Sequence, residues 1–179
     1  MQGNYKKSAS GLLVPEHKII GYGEYHGQLI RKGKVIDEWN DKNLVVYQGL
    51  NNMLGVFFNS QTQMNNWYLG LFEGNYTPVA TDTGATIAAN STESIAYTAS
   101  TRQAWTPASP SSQSITNSAA RASFTFNATK TIYGAFLIST SVKNDTTGQL
   151  FSAAQFATAK NVVNLDELLL TYTFNASSV

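Results

Sequence analysis

Short segments rich in aromatic and β-branched residues, separated by turn signals, restrict the possible folds of this chain more than any other feature. Five such segments span residues 66–73, 93–98, 121–127, 131–140 and 167–175. Alternation within them assigns faces: Leu168, Leu170 and Tyr172 share one side of a strand, as do Phe124 and Phe126. Several short strands separated in this way predict an antiparallel sandwich or barrel.

Three details refine this prediction. In residues 66–73, Trp67, Leu69 and Leu71 fall on one face, and the alternate positions fall on the other. The tight connection at Lys130 predicts that the segments on either side of it are antiparallel neighbours. Residues 149–156 fit a strand or a short helical turn, and both remain open. We expect the Ser/Thr/Pro-rich residues 98–118 to form an ordered surface loop or sheet edge.

The first third of the chain differs from the rest. Residues 1–15 lack periodicity and predict an extended arm. Residues 19–39 predict a hairpin with its turn at Lys32-Gly33. A helix is predicted over about residues 44–58, with Asn43 as its N-cap. Its apolar stripe is expected to cover the core and consists of Val46, Leu50, Met53, Leu54 and Phe57.

These patterns together predict an all-β protein. The expected architecture is an antiparallel β-sandwich, jelly-roll-like, with one helix and an extended N-terminal arm. Residues 1–15 form the arm and residues 16–179 a single domain, whose main sheets span residues 66–175.

Composition excludes several classes of function. The chain has 12 Lys+Arg against 11 Asp+Glu and a net charge of +1, which provides no surface for a polyanion, so no nucleic-acid partner is expected. The absence of Cys excludes disulfides, thiolate zinc sites and a cysteine nucleophile. No apolar stretch approaches the roughly 20 residues that span a bilayer, and no signal-peptide pattern opens the chain, so no membrane partner is expected.

One tripeptide matches a catalytic motif. Asp82-Thr83-Gly84, followed by Ala85, has the sequence of the aspartic protease active site, where two Asp residues share a proton. A single copy would require a homodimer, and Pro78 precedes the motif where that family has an apolar strand. We therefore interpret the tripeptide as a turn.

The remaining polar clusters favour ordinary surface roles. His26 can share a strand face with Glu24, whereas Glu16 and His17 point to opposite faces. The acidic pairs Glu38/Asp41 and Asp166/Glu167 are expected to be solvated. Gly21-Tyr22-Gly23 lacks the Gly-Lys-Ser/Thr ending of a phosphate loop. The sequence thus predicts a protein that is not an enzyme, with no catalytic, cofactor-binding or metal residues and no cofactor.

Five successive runs carry a resemblance. They are NNWYLGLFEGNYTPVATDT, YTASTRQAW, ITNSAARASFTFNATKTIYGAFLIST, TGQLFSAAQFATAKNVV and ELLLTYTFNAS, which lie within residues 43–176. In order and spacing they resemble small structural proteins of tailed-bacteriophage virions.

The resemblance implies a structural role in the phage particle. The first expectation is a capsid decoration or cement protein on the virion surface, made in the bacterial host cytoplasm. Its partners would be the major capsid protein and further copies of itself as a homo-oligomer. A tail, head–tail connector or head-fibre protein is the alternative in the same setting. A different class is a carbohydrate-binding adhesion module, in which Trp67, Tyr76, Tyr97 and Trp105 would stack against sugars.

Overall fold

A computed structural model describes residues 5–15 and 18–178. The elements within these residues are β1 (Tyr5–Lys7), β2 (Leu13–Pro15), β3 (Ile19–Arg31), β4 (Lys34–Lys42), β5 (Leu44–Val45), α1 (Tyr47–Phe58), β6 (Trp67–Phe72), α2 (Gly84–Ser91), β7 (Gln103–Trp105), β8 (Ser114–Thr116), β9 (Ala122–Thr125), β10 (Lys130–Ile138), β11 (Leu150–Val162) and β12 (Glu167–Ser178). The predicted all-β class is confirmed.

Two larger sheets form the body of the protein. The first has the strand order β5-β11-β10-β6-β7. The second has the order β4-β3-β12, and β8 and β9 both pair with the remaining edge of β12. Every pairing is antiparallel. The long β3–β12 ladder runs from Glu167 opposite Ile30 to Ser178 opposite Ile19.

The main hydrophobic core combines side chains from both sheets. Tyr25 and Leu29 of β3 join Leu69 and Leu71 of β6 in one buried cluster. The rings of Tyr25 and Tyr172 lie 4.7 Å apart between centroids. The face predicted for Leu168, Leu170 and Tyr172 is confirmed, since all three are fully buried in this cluster.

A second, smaller core lies on the other face of the first sheet. Phe72, Phe136 and Ile138 pack there with Ile87 of α2. Side-chain alternation along β6 explains the division, because Leu69 and Leu71 enter the main core and Phe72 points the opposite way. The two faces predicted for residues 66–73 are therefore confirmed.

Two strand predictions are wrong. Residues 93–98 form only isolated bridges, Phe72 to Glu93 and Tyr97 to Phe126. The strands β9 and β10 are not neighbours, because β9 pairs with β12 whereas β10 lies between β11 and β6. The short connection passes from one sheet to the other, so that Phe124 and Ile132 meet inside the main core.

The predicted hairpin is present and continues to Lys42. Its turn residues, Lys32 and Gly33, have φ of 51° and 75°, the left-handed conformation that a two-residue hairpin turn requires. Of residues 149–156, all but Gln149 belong to a strand, β11, which begins at Leu150. The strands β1 and β2 form a separate two-stranded sheet within the predicted arm. The division into an arm and one domain stays a prediction.

The helix is present as α1, but two predictions about it are wrong. Its N-cap is Val46, because Leu44 and Val45 pair with β11 as β5 and the helix begins only at Tyr47. The Asn43 amide nitrogen donates to the Tyr172 hydroxyl, 3.0 Å away. The apolar stripe does not cover the core: only Val46 is buried, and Leu50, Met53, Leu54 and Phe57 are exposed. Among the described residues no helix is long and apolar enough to cross a membrane.

Candidate docking surface

The helix α1 attaches to the body through its small and polar residues. Gly49 and Asn52 are its buried positions. A Cβ on Gly49 would lie 2.8 Å from the Phe151 Cα, so only glycine permits this close approach to β11. The Gln48 side-chain oxygen accepts hydrogen bonds from Gly84 N at 2.9 Å and Leu150 N at 2.7 Å. These contacts fix which face of α1 points inward.

The apolar face of α1 consequently points to solvent. Tyr47, Leu50, Leu54, Phe57 and Phe58 follow one another at spacings that place them on a single side of the helix. Phe57 is 83% exposed and Phe58 78% exposed. Two adjacent phenyl rings with this exposure, 5.3 Å apart between centroids, form a contiguous apolar patch. We call this set of residues, with Met53, the α1 face.

An apolar groove of about 670 Å³ borders the α1 face. It opens at the end of the sheets where β3 begins and β12 finishes, and the buried residues Leu137, Phe151 and Tyr172 contribute to its lining. The opposite wall contains Trp67, which pairs with Trp105 across β6 and β7. No charged side chain lines the groove within the described part of the chain.

One buried polar group also lines the groove. The Asn52 side-chain nitrogen finds no hydrogen-bond partner among the described residues, although the residue is buried. An amide donor left without a partner in a buried position costs about 1–3 kcal/mol.

The arm hairpin presents further apolar surface. Tyr5, Leu12, Leu13 and Val14 are all exposed. The strands β1 and β2 pair only with each other in the described sheets, and Gly11, with φ of 81°, lies in the connection between them. The arm leads toward Ile19, which lines the groove. The groove and the α1 face therefore lie at the same end of the body, where β3 begins.

The charged hairpin has a different character. Along the edge strand β4, Glu38 accepts a hydrogen bond from the His26 ring at 2.8 Å, and Asp37 pairs with Lys160 at 2.9 Å. The contact with His26 is the main cause that lowers the pKa of Glu38. Charged side chains on an edge strand oppose the addition of another strand. The end of the body that carries the groove and the α1 face, which we call the apolar end, is thus the more suitable docking surface.

Asp82 and its neighbours lie at the start of α2. The buried Asp82 carboxylate accepts hydrogen bonds from the Tyr76 hydroxyl at 2.8 Å and from Val79 N at 2.8 Å. Burial and this hydrogen bond raise the pKa of Tyr76. Thr83 forms a capping box with Thr86 at the start of α2. The tripeptide thus joins a turn to a helix that was not predicted from the sequence, since Thr86 stands where the usual capping-box sequence has Glu or Gln.

Of the two histidines, the structure describes His26. His26 contacts Glu38 on the neighbouring strand, and it shares the outward face of β3 with Glu24, as the alternation predicts. Glu16 and His17 lie outside the described residues. Within the described ranges, no group of three or more His, Asp or Glu side chains could hold a metal ion.

The expectation of solvated acids is wrong for one of them. Asp166 is almost fully buried and pairs with Arg31 through two hydrogen bonds, at 2.9 and 2.7 Å. These bonds are the main cause that lowers the pKa of Asp166. Of the remaining acids, Asp41 accepts from Ala157 N and Glu167 from the Ser123 hydroxyl. All these carboxylates have structural partners.

The four proposed sugar-stacking aromatics do not form one platform. Tyr97 is buried against Phe124, and burial raises its pKa. The Tyr76 hydroxyl is bound to Asp82. Only Trp67 and Trp105 lie side by side, and both line the groove. The Trp105 ring nitrogen donates to Tyr172 O at 3.1 Å, which fixes this ring against the core.

The sequence analysis missed a buried ion pair. Arg102 donates two hydrogen bonds to Glu93, at 2.8 and 2.7 Å, and both side chains are fully buried. Arg102 also reaches the Thr140 carbonyl at 3.0 Å, and Glu93 accepts from Asn144 N at 2.7 Å. The available signal was an arginine within a long Ser/Thr-rich stretch that is otherwise almost without charge.

Comparison with known proteins identifies no relative. No protein-family model matches the chain, and no curated protein matches it in sequence. Function must therefore be argued from the geometry described above.

Proposed function

We propose that this protein is a structural component of a bacteriophage particle, a decoration or cement protein that binds the major capsid protein and stabilises the shell. The observation that carries the proposal is the apolar end of the body, where the α1 face and the groove are exposed together and no charged side chain of the described residues lines the groove. Surface of this kind marks a protein that functions while docked on other proteins.

The body supports the same role. We propose that its two sheets form a β-sandwich of the jelly-roll-like type, with the main core between them. A core of interlocked aromatic side chains makes such a body rigid. The buried Arg102–Glu93 pair adds stiffness by connecting residues 93, 102 and 140–145 through hydrogen bonds. A rigid body loses little conformational entropy when it binds to a repeated lattice.

The arm extends the surface with which the protein can contact the capsid. A short hairpin with exposed Leu12, Leu13 and Val14 can lie across an adjacent capsid subunit and bury apolar surface there. Ordering such a segment against a partner reduces the net affinity but enlarges the area that a small protein covers. We therefore expect the arm to contribute to binding on the particle.

The experiment mixes the purified protein with capsids that lack it and measures cosedimentation and the heat resistance of the shell. We expect saturable binding and a higher temperature of shell disruption. The matched variant lacks residues 1–15 and should bind at least about tenfold more weakly, a difference of about 1.4 kcal/mol. Absence of binding by the full chain would contradict the capsid role. Unchanged binding by the shortened chain would remove the arm from it.

A further inference from the structure

We propose that the α1 face and the groove beside it form the interface between two copies of this chain. The inference deepens the proposed structural role, on which it rests for the expectation that the protein acts in multiple copies. It assigns the α1 face and the groove to the contact between copies, which leaves the arm hairpin as the part that reaches the capsid.

The exposed area agrees with an interface of this size. Tyr47, Phe57 and Phe58 are 57%, 83% and 78% exposed. At about 150–250 Å² per aromatic side chain, these three present roughly 330–550 Å². Leu50, Met53, Leu54 and Ile19 add to this total. The whole surface therefore exceeds the apolar patch of an ordinary monomer, about 300–600 Å², and approaches the roughly 800 Å² that each partner contributes to a standard interface.

Charge favours a second copy as the occupant. Residues 43–72 contain no Asp, Glu, Lys or Arg, although they make up a sixth of the chain. A two-fold contact places the same patch on both sides, so any charged group near the axis would face its own kind. A surface without charge meets itself without this repulsion. A partner with charged groups at its interface would gain no complementary charge from the α1 face.

Shape favours the same occupant. The α1 face carries projecting rings at Phe57 and Phe58, and the groove provides a recess beside them, so one patch holds both parts of a complementary pair. In a two-fold arrangement the rings of each copy enter the groove of the other.

The test measures the molar mass of the isolated protein, without capsids, by sedimentation equilibrium over a range of concentrations. We expect a dimer that dissociates on dilution. Phe57→Glu should weaken the association at least about 30-fold, because removal of a central interface residue costs about 2 kcal/mol or more. Phe58→Gln provides a second, milder change at the same surface. Both side chains project into solvent, so neither change disturbs the core.

The matched control is Leu165→Glu. Leu165 is also exposed, but it precedes β12 and lies at the other end of that strand from the groove. We expect this variant to associate like the unaltered chain. At low protein concentration, Phe57→Glu and Phe58→Gln should unfold in urea at the same midpoint as the unaltered chain, which would show that the fold is intact. A chain that stays monomeric at every concentration overturns the inference, as does a dimer that Phe57→Glu leaves intact.

The two proposals can fail separately. Self-association is measured without capsids, and capsid binding is measured with the Phe57→Glu monomer as well as with the unaltered chain. Loss of the dimer together with retained capsid binding by the monomer supports the inference and leaves the capsid role standing. A dimer that binds no capsid supports the inference and overturns the capsid role.

Discussion

At the scale of single residues, the buried pair of Arg102 and Glu93 should contribute most to stability. Arg102→Met leaves the Glu93 carboxylate buried without its cation, which is expected to lower the free energy of unfolding by about 3–5 kcal/mol. Urea unfolding at neutral pH measures this change. The double variant Arg102→Met with Glu93→Leu should recover most of the loss, because apolar residues of similar size replace a buried pair at little net cost. A loss below about 1 kcal/mol in the single variant would contradict this account of the pair.

The pair of Arg31 and Asp166 makes a pH-dependent contribution. Its hydrogen bonds lower the pKa of Asp166 in the folded chain below the ordinary value of 3.8. The stabilisation is therefore fully present above pH 3.8 and is lost as pH falls through the lower, folded pKa. Asp166→Asn should make the stability less sensitive to acid over this range, as measured by urea unfolding at successive pH values. An unchanged acid dependence would show that Asp166 does not carry it.

The residues of the cores were more predictable than the polar partners. Alternation placed Leu168, Leu170 and Tyr172 on a buried face because side chains in a strand must point alternately to its two sides. No such rule links Arg31 to Asp166, which are far apart in sequence and meet only because β3 pairs with β12. Long-range polar contacts depend on the sheet register, which local patterns do not determine.

At the scale of elements, two glycines in α1 should respond in opposite ways to the same substitution. Gly49→Ala forces a methyl group against the Phe151 backbone and is expected to cost about 1–3 kcal/mol. Gly55→Ala meets the end of the flexible Gln61 side chain, which can move, so the better helix propensity of Ala should stabilise by up to about 1 kcal/mol. Urea unfolding of both variants provides the comparison. Equal effects of the two changes would contradict the observed orientation of α1.

The orientation of α1 is also where sequence reasoning failed at this scale. A stripe of apolar residues normally faces the core, and that rule placed Leu50, Met53 and Leu54 inside. The structure instead buries Gly49 and Asn52. Close approach to β11 and the hydrogen bonds of Gln48 outweigh the stripe in setting the direction. The existence of the helix was predictable from its period, whereas its inward face depended on a surface formed by other strands.

At the scale of the whole molecule, the all-β fold class was predictable from the sequence, whereas the order of the strands in the sheets was not. Repeated short strands with turn signals lead to antiparallel sheets in most arrangements. The same pattern suggested that β9 and β10 are adjacent, but the connection crosses between sheets to bring Phe124 and Ile132 together in the core. A short connection alone does not distinguish a hairpin from a crossing between two layers. The choice depends on which arrangement buries more apolar surface.

The number of copies on a particle decides whether this protein is a capsid component. Capsids saturated with the purified protein would be imaged, and the bound copies counted from the density. We expect hundreds of copies arranged on the icosahedral lattice, with the apolar end of each body turned toward its neighbours or the shell. A count of six or twelve confined to the neck or tail, or no density on the particle, would contradict it.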